Sequence, residues 1–496
     1  MVFLYLPSNF PLFFYVILGY NVFHRYLGTE EKKVDYLDFN NPLNVHFIGI
    51  GGSSMSGLAS ILLSRGFKVS GSDAVHNAHT DELEEKGVRI GYPQSPDNIP
   101  EDTDLVVYTA AIHDEDPELS EARRRNITTI TRAVLLGQIM KLYKRSINVS
   151  GTHGKTTTTS IITDIIIAAG MDPTVSVGGV VESFGNNMRI GKSDVFVTEA
   201  CEYTNSFLYS YPTIAVILNI EEDHLDFFKD IDDIRNSFKR FADLLPEDGT
   251  LVINSDIKDY EDFRPESGAA FVTYGTDPAK SDYYADNVTF DEKGMGSYGL
   301  YIKGEKICDI KLGIPGMHNV SNSLAAIAAC MAAGATPEDV VKGLSRSTGA
   351  HRRLEYKGEF NGGVPVIDDY AHHPDEIKAT LDAVRLMTKG DVWGVFQPHT
   401  YSRTRDFLDE FADALYGGAD HSLLAEVYND RELDTYGVSS ADIARKIREK
   451  GGDGLFFDTF EEITEYLRKN CKPGDVVVTL GSKDVFMIAD ALTQNQ

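Results

Sequence analysis

The run Gly151-Thr152-His153-Gly154-Lys155-Thr156, continued by threonines at 157, 158 and 159, has the residue types of a phosphate cradle. It follows a strand-like stretch, Ser146-Ile147-Asn148-Val149-Ser150, and leads into a helix-like stretch from Thr157 to Ala169. Strand, glycine turn, lysine, hydroxyl and helix, in that order, bring backbone N–H groups and a helix N-terminus onto one anion. In such a cradle Lys155 neutralises phosphate oxygens and Thr156 offers its hydroxyl to a magnesium ion. Only Thr152 and His153 separate the two glycines, so the turn is shorter than the common phosphate loop.

Other chemistry-bearing residues gather where strands should end. Glu199 closes the stretch Asp194 to Thr198, and His224 follows Asn219-Ile220-Glu221-Glu222-Asp223. In a parallel sheet both ends face the rim that carries the phosphate turn. Magnesium prefers oxygen, which suits Glu199 and makes His224 a less usual donor; a hydrogen-bonded structural histidine is the alternative for His224. Further on, Asp368-Asp369-Tyr370-Ala371-His372-His373-Pro374 and Gln397-Pro398-His399-Thr400-Tyr401-Ser402-Arg403-Thr404-Arg405 each follow a strand-like stretch. The aspartates alone could cap the next helix; grouped with Arg353, Arg403 and two histidines they read as an anion-handling site. Near the start, Gly49-Ile50-Gly51-Gly52-Ser53-Ser54-Met55-Ser56-Gly57 resembles a dinucleotide fingerprint, with Asp73 placed as a ribose-binding carboxylate. Ser54 stands where the third glycine belongs, which leaves a nucleotide-sugar site, an NAD site and a plain tight turn all open.

The elements that must position these groups alternate between strand and helix, the mark of parallel sheets. Strands are expected at 45–48, 68–70 and 105–109, with a helix over 56–64; then at 195–198 and 214–218, with a hairpin over 298–312 turning at Lys303-Gly304-Glu305 and an alanine-rich helix over 319–333. After Arg353 the alternation restarts with strands at 364–367, 392–396, 422–427, near Phe456 and 476–480, and helices over 374–386, 404–415, 440–450 and 461–469. The expected organisation is a poorly ordered N-terminal extension over 1–40, read as the product of a start site placed too far upstream, and three α/β domains over 41–145, 146–347 and 348–496. The first and third are Rossmann-like, and the second is a P-loop-type ATPase domain with a mostly parallel sheet.

At 496 residues the chain exceeds one hydrophobic core. Its 75 acidic and 47 basic residues give a formal charge of −28, which argues against a non-specific grip on nucleic acid or an anionic membrane. Cys201, Cys308, Cys330 and Cys471 show no paired spacing, so neither a disulfide framework nor a zinc finger is indicated and a reducing cytoplasm fits. The apolar stretch Pro11 to Phe23 is too short to span a bilayer and lacks a signal-peptide pattern.

Seven segments in order, HFIGIGG, GSD, SGTHGKTTTT, NIEEDHLD, GMHNVSN, DDYAHHP and QPHTYSRTR, resemble the Mur ligases of peptidoglycan synthesis over about 41–488. The resemblance implies ATP-dependent joining of L-alanine to UDP-N-acetylmuramate through an acyl phosphate, with magnesium as cofactor, in a monomer or homodimer without nucleic-acid or membrane-spanning partners. It implies that Gly51, Gly52 and Asp73 hold the UDP-sugar, and that Gly151, Thr152, His153, Gly154, Lys155, Thr156 and Thr157 hold ATP together with His318, Asn319, Asn322, Arg353 and Asp369. Thr156, Glu199 and His224 are implied as magnesium ligands. Tyr370, His372 and Arg403 are implied at the reacting end, where Lys155, His372 and Arg403 take the catalytic roles. Arginine is common in the family where Thr400 stands, so Arg405 is a possible substitute for a carboxylate clamp, and Cys201 occupies a position often held by aspartate. A murein tripeptide ligase of wall recycling shares the phosphate turn; an NAD-dependent oxidoreductase or a non-catalytic nucleotide switch are readings from other classes.

Overall fold

The computed structural model describes residues 36–494 apart from 110, 226, 431, 433 and 434. The expected extension over 1–40 lies mostly outside the described residues; within 36–40, Leu37 is buried and Phe39 packs edge to face on Phe67, with ring centroids 5.5 Å apart. The chain divides into two compact units, one running to Tyr143 with the added segment Cys201–Tyr211, the other formed by Lys144–Ala200 and everything from Pro212 on.

The first unit is a five-stranded parallel sheet in the order Arg89–Gly91, Lys68–Ser72, Asn44–Ile48, Leu105–Tyr108, Thr128–Thr131. The core is built on the central strand and its neighbour Leu105–Tyr108, where Phe47, Ile48, Val106 and Val107 are fully buried. The helix Ser53–Ser64 begins directly after the glycine turn, three residues earlier than the apolar periodicity suggests, because its first turn is polar. Beneath the sheet lies a closed polar group: His46 Nε2 is 2.7 Å from Glu118 Oε1, His46 Nδ1 is 2.8 Å from Ser70 Oγ, and Ser72 Oγ donates to Glu118 Oε2 at 2.7 Å. His46, Glu118 and Ser72 have no solvent exposure, and a set of this kind is tolerable in a core only when every member is satisfied. The added segment is held by the Lys141 ammonium over the Tyr211 ring at 4.4 Å.

The second unit holds two α/β domains. Its ten-stranded sheet runs Glu305–Pro315, Met295–Ile302, Tyr283–Phe290, Ala270–Gly275, Thr250–Asn254, Ile214–Ile217, Arg145–Ser150, Val195–Glu199, Thr174–Val181, Asn186–Arg189. The middle is parallel, while the hairpins at both edges are antiparallel. The helix Lys155–Ala168 is buried on nearly all sides, being packed against the sheet and against the helices Met317–Ala332 and Pro337–Leu344. A side chain at Gly343 would meet Ile165 Cα at 2.5 Å, so glycine there lets two helices touch backbone to backbone.

The six-stranded sheet runs Glu355–Phe360, Val364–Asp369, Val476–Leu480, Val392–Phe396, His421–Leu424, Asp453–Phe456, antiparallel only at its first strand. Apolar clusters cover both of its faces. The helix expected over 404–415 is two helices, Tyr401–Asp406 and Leu408–Gly418, broken at Phe407, whose backbone leaves the helical region at φ −115° and ψ 27°.

Candidate active site

In the first unit the glycine turn closes on Asp73, whose Oδ2 accepts the Gly51 N–H at 2.8 Å while Oδ1 accepts from Ala74 at 2.8 Å. The turn is therefore held by the carboxylate itself, and the Gly51 N–H points at Asp73 rather than outward. Ser54, at the third-glycine position, accepts from Arg132 Nη1 at 3.1 Å.

In the second unit the phosphate turn sits between the strand Arg145–Ser150 and the helix Lys155–Ala168. Gly154 is the helix N-cap at φ +84°, and no acidic side chain in the first turn cancels the positive end of the helix dipole. Asn219 clips the turn from the neighbouring strand end: His153 N donates to its Oδ1 at 2.8 Å and its Nδ2 donates to His153 O at 3.1 Å. Thr152 Oγ1 accepts from Glu221 N at 2.9 Å. The Lys155 ammonium folds over the loop onto the carbonyls of Gly151 and Thr152, at 2.5 and 3.1 Å.

A cavity of about 220 Å³ opens on this turn. His153, Gly154, Thr157, His318, Asn319, Asn322, Arg353 and Asp369 all line it. Asn322 Nδ2 donates to Asn319 Oδ1 at 2.9 Å, and Asn319 Nδ2 donates to Pro315 O at 2.7 Å, which fixes both amides. A Cβ on Gly154 would lie 2.7 Å from Asn322 Oδ1. Gly154→Ala is accordingly expected to lose about 1–2 kcal/mol to left-handed backbone strain, and to lower turnover roughly 10²-fold by displacing the turn. Chemical denaturation together with steady-state kinetics checks both.

Val149 and Glu199 are register partners, which sets the Glu199 carboxylate at the rim beside the turn. Gly178 N donates to Glu199 Oε1 at 3.0 Å; a Cβ on Gly178 would meet Glu199 Oε2 at 2.9 Å, and one on Gly179 would meet the Thr156 methyl at 3.2 Å. Two adjacent glycines thus leave room for the Glu199 carboxylate and for the Thr156 side chain, whose oxygens are of the hard kind that magnesium prefers. His224 lies in the following loop at φ +53°, with Nε2 3.7 Å from Asp223 Oδ2.

Glu376, which the motifs do not single out, is the hub of the third domain's contribution. Its Oε1 is 3.2 Å from His153 Nδ1 and 3.8 Å from Arg353 Nη1; its Oε2 is 3.2 Å from His372 Nδ1 and accepts the His372 N–H at 3.0 Å. It is the N3 residue of the helix Pro374–Arg385, and the capping pattern His373-Pro374-Asp375-Glu376 was its only sequence signal. Burial works against its charge, yet His372 and His153 hold it well below the usual carboxylate range. Burial likewise opposes a charge on His153, but Glu376 and Glu221 lift it to about 10. Asp369 is pushed up to about 6 by burial, against Arg353 and the N–H groups of Ala371 and Leu354. The Tyr370 ring lies between the guanidinium groups of Arg352 and Arg353, at 5.4 and 5.0 Å.

Arg403 Nη2 donates to Asp223 Oδ1 at 2.9 Å, and burial of Asp223 is overcome by Arg403 and His224, which bring its carboxyl down to about 2. Arg405 is turned elsewhere: it pairs with Asp406 at 2.6 Å and stacks on Tyr436 at 4.6 Å.

His318, His373 and His399 are each brought to about 4, chiefly by burial and then by Arg353, His153 and His372 respectively. A histidine that stays neutral in the fold but charges when unfolded removes stability as the pH falls from its ordinary 6.5 toward 4. The raised Asp369 acts oppositely, its contribution being full below 3.8 and lost as the pH rises through about 6. Three groups outweigh one, so the nucleotide-free protein is expected to lose of the order of a few kcal/mol between pH 6.5 and 4. Thermal unfolding across that range should show the fall, and His318→Asn should flatten it.

Three Mur ligase family models match the chain: the family's catalytic domain over residues 44–144, the middle domain over 149–330 and the glutamate ligase domain over 352–483. The chain belongs to the Mur ligase family. Among its relatives, the UDP-N-acetylmuramate–L-alanine ligase of Lachnospira eligens is 56% identical over 456 residues, covering 92% of this chain and 99% of that protein. The enzyme of the same name from Agathobacter rectalis is 50% identical with the same coverage. The crystal structure of the UDP-N-acetylmuramate–alanine ligase of Thermotoga maritima superposes with a TM-score of 0.75 at 27% identity, covering 91% of this chain and 98% of that one.

Proposed function

We propose that this chain is an ATP-dependent ligase that joins L-alanine to the carboxylate of UDP-N-acetylmuramate, releasing ADP and phosphate, a step of peptidoglycan precursor synthesis. The observation that carries the reading is the cavity on the phosphate turn, lined jointly by the turn, the Asn319–Asn322 pair and Arg353 with Asp369. It is supported by the relatives of that name at 56% and 50% identity over nearly the whole chain.

A carboxylate is a poor electrophile for an amine. The muramoyl carboxylate oxygen attacks the γ-phosphorus of ATP, the bond to the β,γ-bridging oxygen breaks, and ADP leaves an acyl phosphate behind. The alanine amine then attacks the acyl carbon, phosphate departs, and the amine loses a proton. Bringing a carboxylate to a triphosphate sets anion against anion, and the turn answers this with Lys155, the Gly154-capped helix N-terminus and the protonated His153. Thr156 and Glu199, with His224 as a further donor, would hold magnesium, which neutralises phosphate charge when bound. Arg403, anchored by Asp223, offers the rest of its guanidinium fork to the alanine carboxylate. His372, oriented through Glu376, is the candidate acceptor of the amine proton. Gly51, Gly52 and Asp73 shape the UDP-sugar site, and Tyr370 borders the reacting end. Its nucleotide and amino-acid substrates suit a cytoplasmic location, and among the described residues no helix is long and apolar enough to cross a membrane.

Phosphate release with ATP, magnesium, UDP-N-acetylmuramate and a panel of L-alanine, glycine, L-serine and a murein tripeptide tests the reading. Release with L-alanine is expected. Release with the tripeptide alone would move the protein to the recycling enzymes.

A further inference from the structure

We propose a second metal site, for a zinc-class transition ion, formed by His153 of the phosphate turn with His373 and Asp375 of the third domain. One donor atom from each of the three residues lies within 4.8 Å of the other two. Tetrahedral zinc with nitrogen ligands needs donors roughly 3.4 Å apart, so rotamer adjustments of about 1 Å suffice. The set differs from the magnesium site in its chemistry: two imidazoles and a carboxylate select a borderline-soft ion, whereas Thr156 and Glu199 offer hard oxygen.

The independent observation is His373. Its side chain is buried, with 3% of the residue's surface exposed; the ring faces the Glu376 N–H across the helix cap, and Nε2 has no hydrogen-bond partner among the described residues. A buried imidazole nitrogen with no partner is costly, and native cores seldom leave one without a use. Its ring lies 4.8 Å from that of His153, tilted by 39°, and Nδ1 is 3.5 Å from Asp375 Oδ2. The ion pair of His153 Nε2 with Glu221 Oε2, 3.1 Å apart, borders the same space. Binding at His153 displaces its proton, and the carboxylates that held the proton then face the dication. Asp375 is 61% exposed and supplies the way in.

Such an ion ties the phosphate turn to the helix Pro374–Arg385. Resting on the ATP reading above, it also antagonises nucleotide, because His153 cannot serve both.

Titration of the nucleotide-free full-length protein with zinc chloride against a chromogenic chelator tests the site. One zinc per chain is expected, with affinity at least about tenfold weaker in His373→Asn and in Asp375→Asn, and unchanged in Cys201→Ser. Asp375 is a surface residue, so its variant remains informative if His373→Asn fails to fold. No zinc uptake, uptake unchanged in both variants, or uptake abolished in Cys201→Ser would overturn the proposal. Repeating the titration with saturating MgATP, with free zinc buffered to the same values in both arms because ATP itself binds zinc, is expected to weaken zinc binding. Unaltered binding there would instead count against the nucleotide reading of the turn and leave the metal site standing.

Discussion

Lys155→Ala should reduce alanine-dependent phosphate release by roughly 10²–10³-fold, the range lost when one preorganised charge is removed from a developing anion. The fold should survive. The ammonium bonds to the Gly151 and Thr152 carbonyls, and the loop's shape is set independently of it by Asn219 and Gly154. Thermal unfolding of the variant should therefore stay close to wild type while turnover collapses. Wild-type turnover would remove the lysine from the mechanism, whereas parallel loss of fold and turnover would make its role structural. Lys155→Arg is a sharper companion: it keeps the charge but places a broad fork where a compact ammonium fits.

Glu376→Ala should have the largest effect on stability. The carboxylate is buried against His153, His372 and Arg353, and deleting one partner of a buried ionic group strands the others, typically at a cost of about 3–5 kcal/mol. Glu376→Gln keeps the shape and the acceptor for the His372 N–H, so its loss should be smaller. The sign of the pH dependence separates this from a packing defect. Because Glu376 helps raise His153 to about 10, the stability it lends is full below 6.5 and declines as the pH rises through about 10. The gap between Glu376→Gln and wild type, measured by urea denaturation, should narrow toward pH 10. A constant gap would mean that the charge of His153 is not what Glu376 supports.

What could be read from the sequence was whatever is local. The phosphate turn is legible because strand, glycine, lysine and helix adjoin in the chain, and the parallel strands after Arg353 are legible because they are continuous apolar runs buried on both faces. The strand Glu355–Phe360 was not read, since EYKGEF sits at a sheet edge and carries the charge that edges tolerate. Thr174–Val181 and Asn186–Arg189 were missed as well: the paired glycines 178 and 179 that make room for Glu199 and Thr156 interrupt the apolar pattern of a strand. Glu376 illustrates the harder limit. Its spacing announces a helix cap, and only the tertiary fold brings His153 from a distant part of the chain onto the same carboxylate. Arg403 shows the converse, for its motif suggested a free clamp and the fold gives it Asp223 as a standing partner.

The closed group under the first sheet constrains how this protein can drift over generations. His46 and Glu118 bond to each other and onward to Ser70 and Ser72 in the interior, so replacing either alone strands a buried charged or imidazole partner, while replacing both with apolar residues of similar volume leaves only serine hydroxyls to be satisfied. Random libraries screened for retained solubility should therefore recover changes at these two positions together far more often than singly.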